Sequence, residues 1–438
     1  MPVPTPATAP TPLRIALLAA GSRGDYQPLV AVGRGLAARG HDVGVTATTD
    51  FVDLVRAGGL RPEEVRVDAM RYYREDLAGR GMPTDLDGQM GLLGDLARVL
   101  APEVTRTMRD LWPRYDGFVT TAMSATWAGL FGARDPRPQV LMMFVPALPS
   151  VWGDSSLFAV EEGRSLRNLG AGLRSLRGAV QLASPVEDEL ARNGLSGRDR
   201  RRAVRRMVTS PAFVANSVQL VTPRRVFGRA VRCVGYPFLD SPPGTALPTE
   251  VERFLTAGPP PVFVGLGSHT LPAVRVALRH TVDAALGLGQ RVLVMAGSGL
   301  ESDGGYGENV AFVGDVPHDL LFPRTAVVVQ HGGAGTSAVA LRAGRPQVVL
   351  PFTMDQPFFA RRLHEIGVAA PPVPTEDAGS PDGVRRLRGA LSHALSPHVA
   401  DRAAEVARAV SREDGVAGAV AEIERALGRG LGRQAMGG

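Results

Sequence analysis

The stretch VVVQHGGAGTSAVALR, Val327–Arg342, decides how the rest of the chain is read. An apolar run ends in His331-Gly332-Gly333-Ala334-Gly335-Thr336, and a helical pattern follows over Ser337–Arg342. Glycines permit positive φ and close approach of backbone N–H groups, and a helix start carries partial positive charge, so such a turn suits a diphosphate. His331 and Thr336 are each placed to donate a hydrogen bond to a phosphate. A glycine pattern alone is weak evidence, because a structural strand-to-helix connection around a core histidine looks the same. The next segment adds weight. A strand at Val348–Leu350 runs into Pro351-Phe352-Thr353-Met354-Asp355-Gln356-Pro357, which sets an acid and an amide at a strand's carboxyl end, where α/β sheets bind ligands. Together Asp355 and Gln356 accept and donate hydrogen bonds, as sugar hydroxyls require.

Outward from this centre the chain alternates strand and helix. Upstream come apolar runs at Pro261–Leu266, Arg291–Ala296, Val310–Val313 and Ala326–Gln330, with a helix at Ala273–Leu286; downstream is Gln347–Pro351. The first half opens the same way: a buried strand at Leu13–Ala20, a glycine turn, a helix from Pro28 to Arg39 and a strand at His41–Thr46, the start of a parallel βαβ unit. Runs at Gly117–Thr121, Gln139–Val145 and Ala212–Asn216 extend that sheet, while Asp68–Asp110 and Val151–Arg206 read as helices and loops laid over it. The expected division is a disordered lead-in at residues 1–12, a first domain at 13–240, a Pro/Gly-rich linker at 241–248, a second domain at 249–400 and a terminal helical segment at 401–438.

At 438 residues the chain is long enough for two domains, and 44% hydrophobic with 21% charged residues is ordinary globular usage. Its single cysteine, Cys233, excludes an internal disulfide and a clustered zinc site and fits a reducing cytoplasm. No basic n-region precedes an apolar stretch, and no run approaches the ~18 apolar residues of a membrane span. All 49 basic residues are arginine, and the net charge of +6 favours anionic ligands without naming one. The densest basic run, Arg198–Arg206, has no interleaved aromatics and reads as a solvated helix face, so no nucleic-acid partner is expected. The histidines show no metal-ligand spacing.

The block Gly314–Leu363, GDVPHDLLFPRTAVVVQHGGAGTSAVALRAGRPQVVLPFTMDQPFFARRL, resembles the nucleotide-sugar signature of the UDP-glycosyltransferase superfamily, in particular its bacterial antibiotic and sterol glycosyltransferase branch. Ala20–Pro28, AGSRGDYQP, resembles the GSRGDxQP motif at the start of the same branch. The resemblance implies a GT-B fold: two facing Rossmann-like domains with parallel sheets, the donor on the second and the acceptor on the first, and a C-terminal helix crossing back to the first. It implies that Val316, Pro317 and His318 border the nucleobase, that His331, Gly333, Gly335 and Thr336 hold the diphosphate with Ser22 and Ser268, and that Asp355 and Gln356 meet the donor sugar. Asp25 takes the place of the general base, which is a histidine in many relatives; the alternative for this residue is a turn or N-cap role before a helix at Pro28. Where plant-type members carry a ribose-binding glutamate this chain has Val339, which leaves a dTDP-sugar open beside a UDP-sugar.

Met123, Trp127 and Phe144 are candidates for an apolar acceptor pocket, with core packing as the alternative. The expected activity is metal-independent, inverting transfer of a hexose or deoxyhexose from a UDP- or dTDP-sugar to a hydroxyl of an apolar natural product, without a further cofactor. A nucleotide-sugar epimerase and an inactive nucleotide-sugar-binding protein are the rivals.

Overall fold

The computed structural model describes residues 11–69, 71, 86–181, 184–192, 195–222, 225–226, 229–267, 272–296, 300 and 305–437. Most of the lead-in expected at residues 1–12 therefore lies outside the described residues.

Two parallel sheets form the body of the molecule. The first contains β1 (Arg14–Leu18), β2 (Asp42–Thr48), β3 (Arg61–Val65), β4 (Gly117–Thr120), β5 (Gln139–Met143) and β6 (Ala212–Val214). After a short antiparallel ladder of β7 (Arg225–Val226) and β8 (Arg229–Ala230), the edge strand β9 (Arg232–Cys233) completes it in the order β3-β2-β1-β4-β5-β6-β9. The second holds β10 (Val262–Gly265), β11 (Val292–Met295), β12 (Val310–Val313), β13 (Val327–Gln330) and β14 (Gln347–Val349) in the order β12-β11-β10-β13-β14. In both sheets the order reverses beside the first strand, which opens a crevice at the strands' carboxyl ends. The central strands β1, β4, β10 and β13 are apolar runs buried along almost their whole length because helices cover both faces. β3 was not foreseen: RPEEV carries a proline and two glutamates, which suits the sheet edge it occupies.

Two helices depart from the sequence reading in where they start. α1 spans Arg23–Ala38 and starts a turn earlier than the expected Pro28, because the Asp25 carboxylate accepts from the Ser22 backbone N–H at 2.8 Å and so caps the helix. Pro28 then falls inside and costs one intrahelical bond. The segment Asp68–Asp110, read as helices and loops, contains α2, an unbroken helix from Leu86 to Leu111. In the second domain, α3 (Ala334–Arg342) begins within the HGGAGT motif, three residues before the expected Ser337. The following helix, α4 (Gln356–Glu365), starts at the expected DQ pair.

The terminal helical segment is two helices, α5 (Pro397–Val410) and α6 (Gly415–Gly437). α6 lies on the first domain: Ala419, Val420, Ile423 and Leu427 join a core built from Ile15, Leu17, Leu29 and Leu36. Glycines make the approach possible, since a Cβ at Gly35 would fall 2.7 Å from Val416 and one at Gly117 would fall 2.9 Å from Leu427. The two domains also share a core in which Leu141, Met143 and Val214 pack with Phe358, Phe359 and Leu363. Arg361 and Arg362 of α4 donate across this seam to the carbonyls of Gly153 and Leu220. The basic run lies on the helix Gly197–Thr209, with Arg198, Arg200, Arg201, Arg202 and Arg205 exposed.

Candidate active site

Gln330 fixes the glycine turn after β13. Completely buried, its amide donates to Ser337 Oγ at 3.0 Å and Gln347 Oε1 at 3.1 Å, while its own Oε1 accepts from the Gly332 N–H at 2.6 Å. Gly332 has φ +102°, and a Cβ there would lie 2.8 Å from the Gln356 carbonyl oxygen, so this position needs glycine on two counts. The chain then enters α3 with Gly333 as its N-cap residue. His331 folds over this start, its Nε2 being 2.6 Å from where a Gly333 Cβ would stand. Gly335 and Thr336 fall in the first turn of α3, partly exposed, where backbone N–H groups have no intrahelical partner. His331, Gly333, Gly335 and Thr336 are thus gathered at one helix start, a geometry that accepts an anion.

Asp355 and Gln356 sit beside this turn at the mouth of β14. Gln356 Oε1 accepts from the amides of Phe352 and Thr353, so a ligand there would meet its donor group, not its carbonyl. Met354, immediately before Asp355, holds the left-handed conformation at φ 54°, and its N–H donates to Gln89 of α2 at 3.1 Å. A non-glycine residue held in this region marks strain stored at the loop tip. Val316 is buried in the second domain's core, so only its backbone can border a base. His318 stacks on Phe322 with centroids 4.4 Å apart, and burial pushes its imidazole down to about 4, which keeps it neutral. Ser268 lies outside the described residues.

From the first domain, the loop Ala19–Gly24 reaches the same place. The Asp25 carboxylate covers Gly21, where a Cβ would clash at 2.2 Å with Oδ2, and Gly24 Cα lies 3.9 Å from the Cβ position of Gly335. Asp25 therefore both caps α1 through Ser22 and faces the cleft; Ser22 is exposed beside it. Burial raises the Asp25 carboxyl to about 6, against the hydrogen bonds from Ser22 that lower it. Burial also raises Asp355 to about 7, with the Asp25 charge adding to the rise. An exposed ion pair, Arg23 to Asp315 at 2.8 Å, bridges the domains at the rim.

A small apolar pocket adjoins that loop. Its walls are the ends of β1 and β2, Ala19 to Gly21, Val65, one face of α2 (Leu96, Leu100, Val104) and Trp127. Of the three pocket candidates, Trp127 lines it. Met123 packs on the cluster behind it, and Phe144 belongs to the core facing α1 and α6, not to the cavity. Sequence reasoning missed Gln330, visible as one polar residue closing a valine strand, and missed Gln89 and Tyr236, which carried no motif. Among the described residues no group of three or more His, Cys, Asp or Glu side chains is placed to hold a metal ion, and no helix is long and apolar enough to cross a membrane.

Residues 281–417 match the family model of the erythromycin biosynthesis protein CIII-like C-terminal domain. The chain is 32% identical to O-mycaminosyltylonolide 6-deoxyallosyltransferase of Streptomyces fradiae, covering 94% of this chain and 97% of the relative. It is 26% identical to the sterol 3-beta-glucosyltransferase UGT80A2 of Arabidopsis thaliana, covering 93% of this chain and 65% of that protein. Among solved structures, the glycosyltransferase VinC in complex with dTDP superimposes with a TM-score of 0.66 at 20% identity, over 95% of this chain and all of that one.

Proposed function

The chain belongs to the antibiotic and sterol glycosyltransferases of GT-B fold, and from that premise we propose that it transfers a hexose or deoxyhexose from a dTDP- or UDP-sugar to a hydroxyl of an apolar natural product, with inversion and without a metal. One observation carries the reading. The loop Ala19–Gly24 forms a wall of the apolar cavity on one side and approaches the glycine turn on the other, so Asp25 stands where a molecule in the cavity and an anion at α3 would meet.

In the proposed reaction the acceptor lies in the cavity with its hydroxyl toward Asp25. Its oxygen attacks C1 of the donor sugar, the hydroxyl proton passes to the Asp25 carboxylate, and the bond from C1 to the diphosphate oxygen breaks with its electron pair leaving on the diphosphate. The N–H groups at the start of α3, with His331 and Thr336, stabilise that developing charge. A single displacement inverts C1. Asp355, pushed up to about 7 by burial, is partly protonated near neutrality and in that form can donate to a sugar hydroxyl. Val339, partly exposed on α3 in place of a glutamate, supports a donor whose ribose needs no acidic partner, and the deoxyallosyl transfer named for the Streptomyces fradiae relative supports a deoxyhexose.

The test is thermal stabilisation by dTDP, UDP, GDP and ADP, followed by transfer assays with the sugar donors of whichever base binds. A shift with dTDP or UDP that disappears in a His331→Ala, Asp355→Ala double variant supports the assignment; no shift at millimolar nucleotide sinks it. Donor consumed with no acceptor present, leaving an epimerised nucleotide sugar, would favour the epimerase. A biological effect that survives Asp25→Asn would favour a non-catalytic binding protein.

A further inference from the structure

Tyr236 lies between β9 and the second domain, in the segment Gly235-Tyr236-Pro237 that carries the chain across. Only 5% exposed, it is clamped by the backbone of Gly415, where a Cβ would fall 2.3 Å from the Tyr236 carbonyl carbon, and by the Phe238 ring at 5.0 Å. Its hydroxyl points at the first turn of α3, 3.1 Å from the Cβ position of Gly335. The hydroxyl makes no hydrogen bond to another described residue, and its oxygen is not sealed from solvent, so it is open to a partner that enters the cleft. An oriented donor without a partner, set beside the unpaired N–H groups of a nine-residue helix, marks a place built for an acceptor that arrives from outside.

We propose that the Tyr236 hydroxyl donates a hydrogen bond to the diphosphate of the bound nucleotide sugar, adding a contact from the interdomain segment to those from α3. The inference rests on the donor-site reading above. Three features favour the diphosphate over other acceptors. The hydroxyl lies on the α3 side of the cleft. Gly335 leaves the space between them open, since an alanine there would crowd the phenol oxygen. Burial, and secondarily the Asp25 charge, raises the phenol well above its ordinary value, so it stays a donor at neutral pH. Because Tyr236 is anchored by Gly415 at the start of α6, it is in place only while that helix sits on the first domain. The contact thereby makes diphosphate binding depend on both domains.

The experiment is calorimetric titration of the wild type and Tyr236→Phe with dTDP or UDP, and with the corresponding nucleoside lacking phosphate, alongside steady-state transfer kinetics. Removing a hydrogen bond to a charged group should weaken diphosphate binding about tenfold to a hundredfold. Nucleoside affinity and the thermal midpoint should stay unchanged, because the lost oxygen has no protein partner to orphan. Equal diphosphate affinity in the two proteins would overturn the proposal, and so would a changed pH–rate profile with unchanged diphosphate affinity, which would assign the hydroxyl to Asp25. If the wild type binds the nucleoside diphosphate no better than the nucleoside, the donor-site reading itself fails.

Discussion

Gly332→Ala separates the two demands on the glycine turn, and the same chemical change at Gly389 provides its control. At Gly332 the new methyl group meets a backbone at φ +102°, a conformation that costs an L-residue about 1–2 kcal/mol. It also meets the Gln356 carbonyl oxygen at 2.8 Å, where ordinary contact begins near 3.4 Å. That oxygen opens α4 and cannot rotate away as a side chain would, so the loop carrying Asp355 must shift, which adds about 1–3 kcal/mol of overpacking. The expected loss is about 2–5 kcal/mol. Gly389, mid-helix in Pro381–Ala394, has nothing within 4 Å of its Cβ position, so Gly389→Ala should stabilise by about 0.4–1 kcal/mol. Urea unfolding followed by far-UV circular dichroism reads both. Tryptophan fluorescence would miss them, since Trp112, Trp127 and Trp152 all lie in the first domain. A Gly332→Ala variant within about 0.5 kcal/mol of wild type, or a destabilised Gly389→Ala, would refute the reasoning.

Burial raises Asp25 to about 6 and Asp355 to about 7, so both hold protons more tightly folded than unfolded, and the stability they contribute is full below about pH 4 and lost as pH rises through those values. Urea midpoints of the ligand-free protein at pH 5 and pH 8 check this, and Asp25→Asn should remove part of the difference. Asp25 must be ionised to act as a base, so kcat/KM should fall on the acid side near pH 6, not near pH 4; a flat profile down to pH 5 contradicts that role. Gln330→Leu strips the Gly332 N–H of its acceptor and leaves Ser337 and Gln347 without their partner, which should cost about 1–3 kcal/mol and weaken nucleotide binding, as titration would show. Leu427→Ala, at a fully buried position over Gly117, should cost about 2–5 kcal/mol, and here tryptophan fluorescence is the appropriate probe because the first domain loosens.

Sequence made the strands of the second domain legible, because they are short, valine-rich apolar runs set off by glycine, proline or polar residues. The first domain was harder, for identifiable reasons. Pro28 looked like a helix start because proline favours the first turn, but the cap between Ser22 and Asp25 is stronger and starts the helix five residues earlier, at Arg23. β3 hides its alternation because its inward position is Glu63, buried against Arg114 and Tyr115, where an apolar residue would have marked a strand. The candidate anion site could be read from glycine and histidine placement in one segment. The apolar cavity could not, since its walls come from β1, β2, β3 and α2, and only the topology brings them together. Tyr236 shows the same limit: it depends on Gly335 and Gly415, each far from it in the chain.

The return of α6 imposes an order on biogenesis. A nascent chain that has emitted all nine strands of the first domain still lacks Ala419, Ile423 and Leu427, so one flank of that domain stays uncovered while the entire second domain is being synthesised. During that interval the face of α1 around Gly35, which Val416 and Val420 cover in the finished protein, is open to other chains. The second domain, whose own core is local in sequence, is free to fold first despite being made last. Expression hosts that slow elongation through residues 250–410 would lengthen the exposure and should raise the aggregated fraction, whereas supplying the 415–437 helix in trans should lower it.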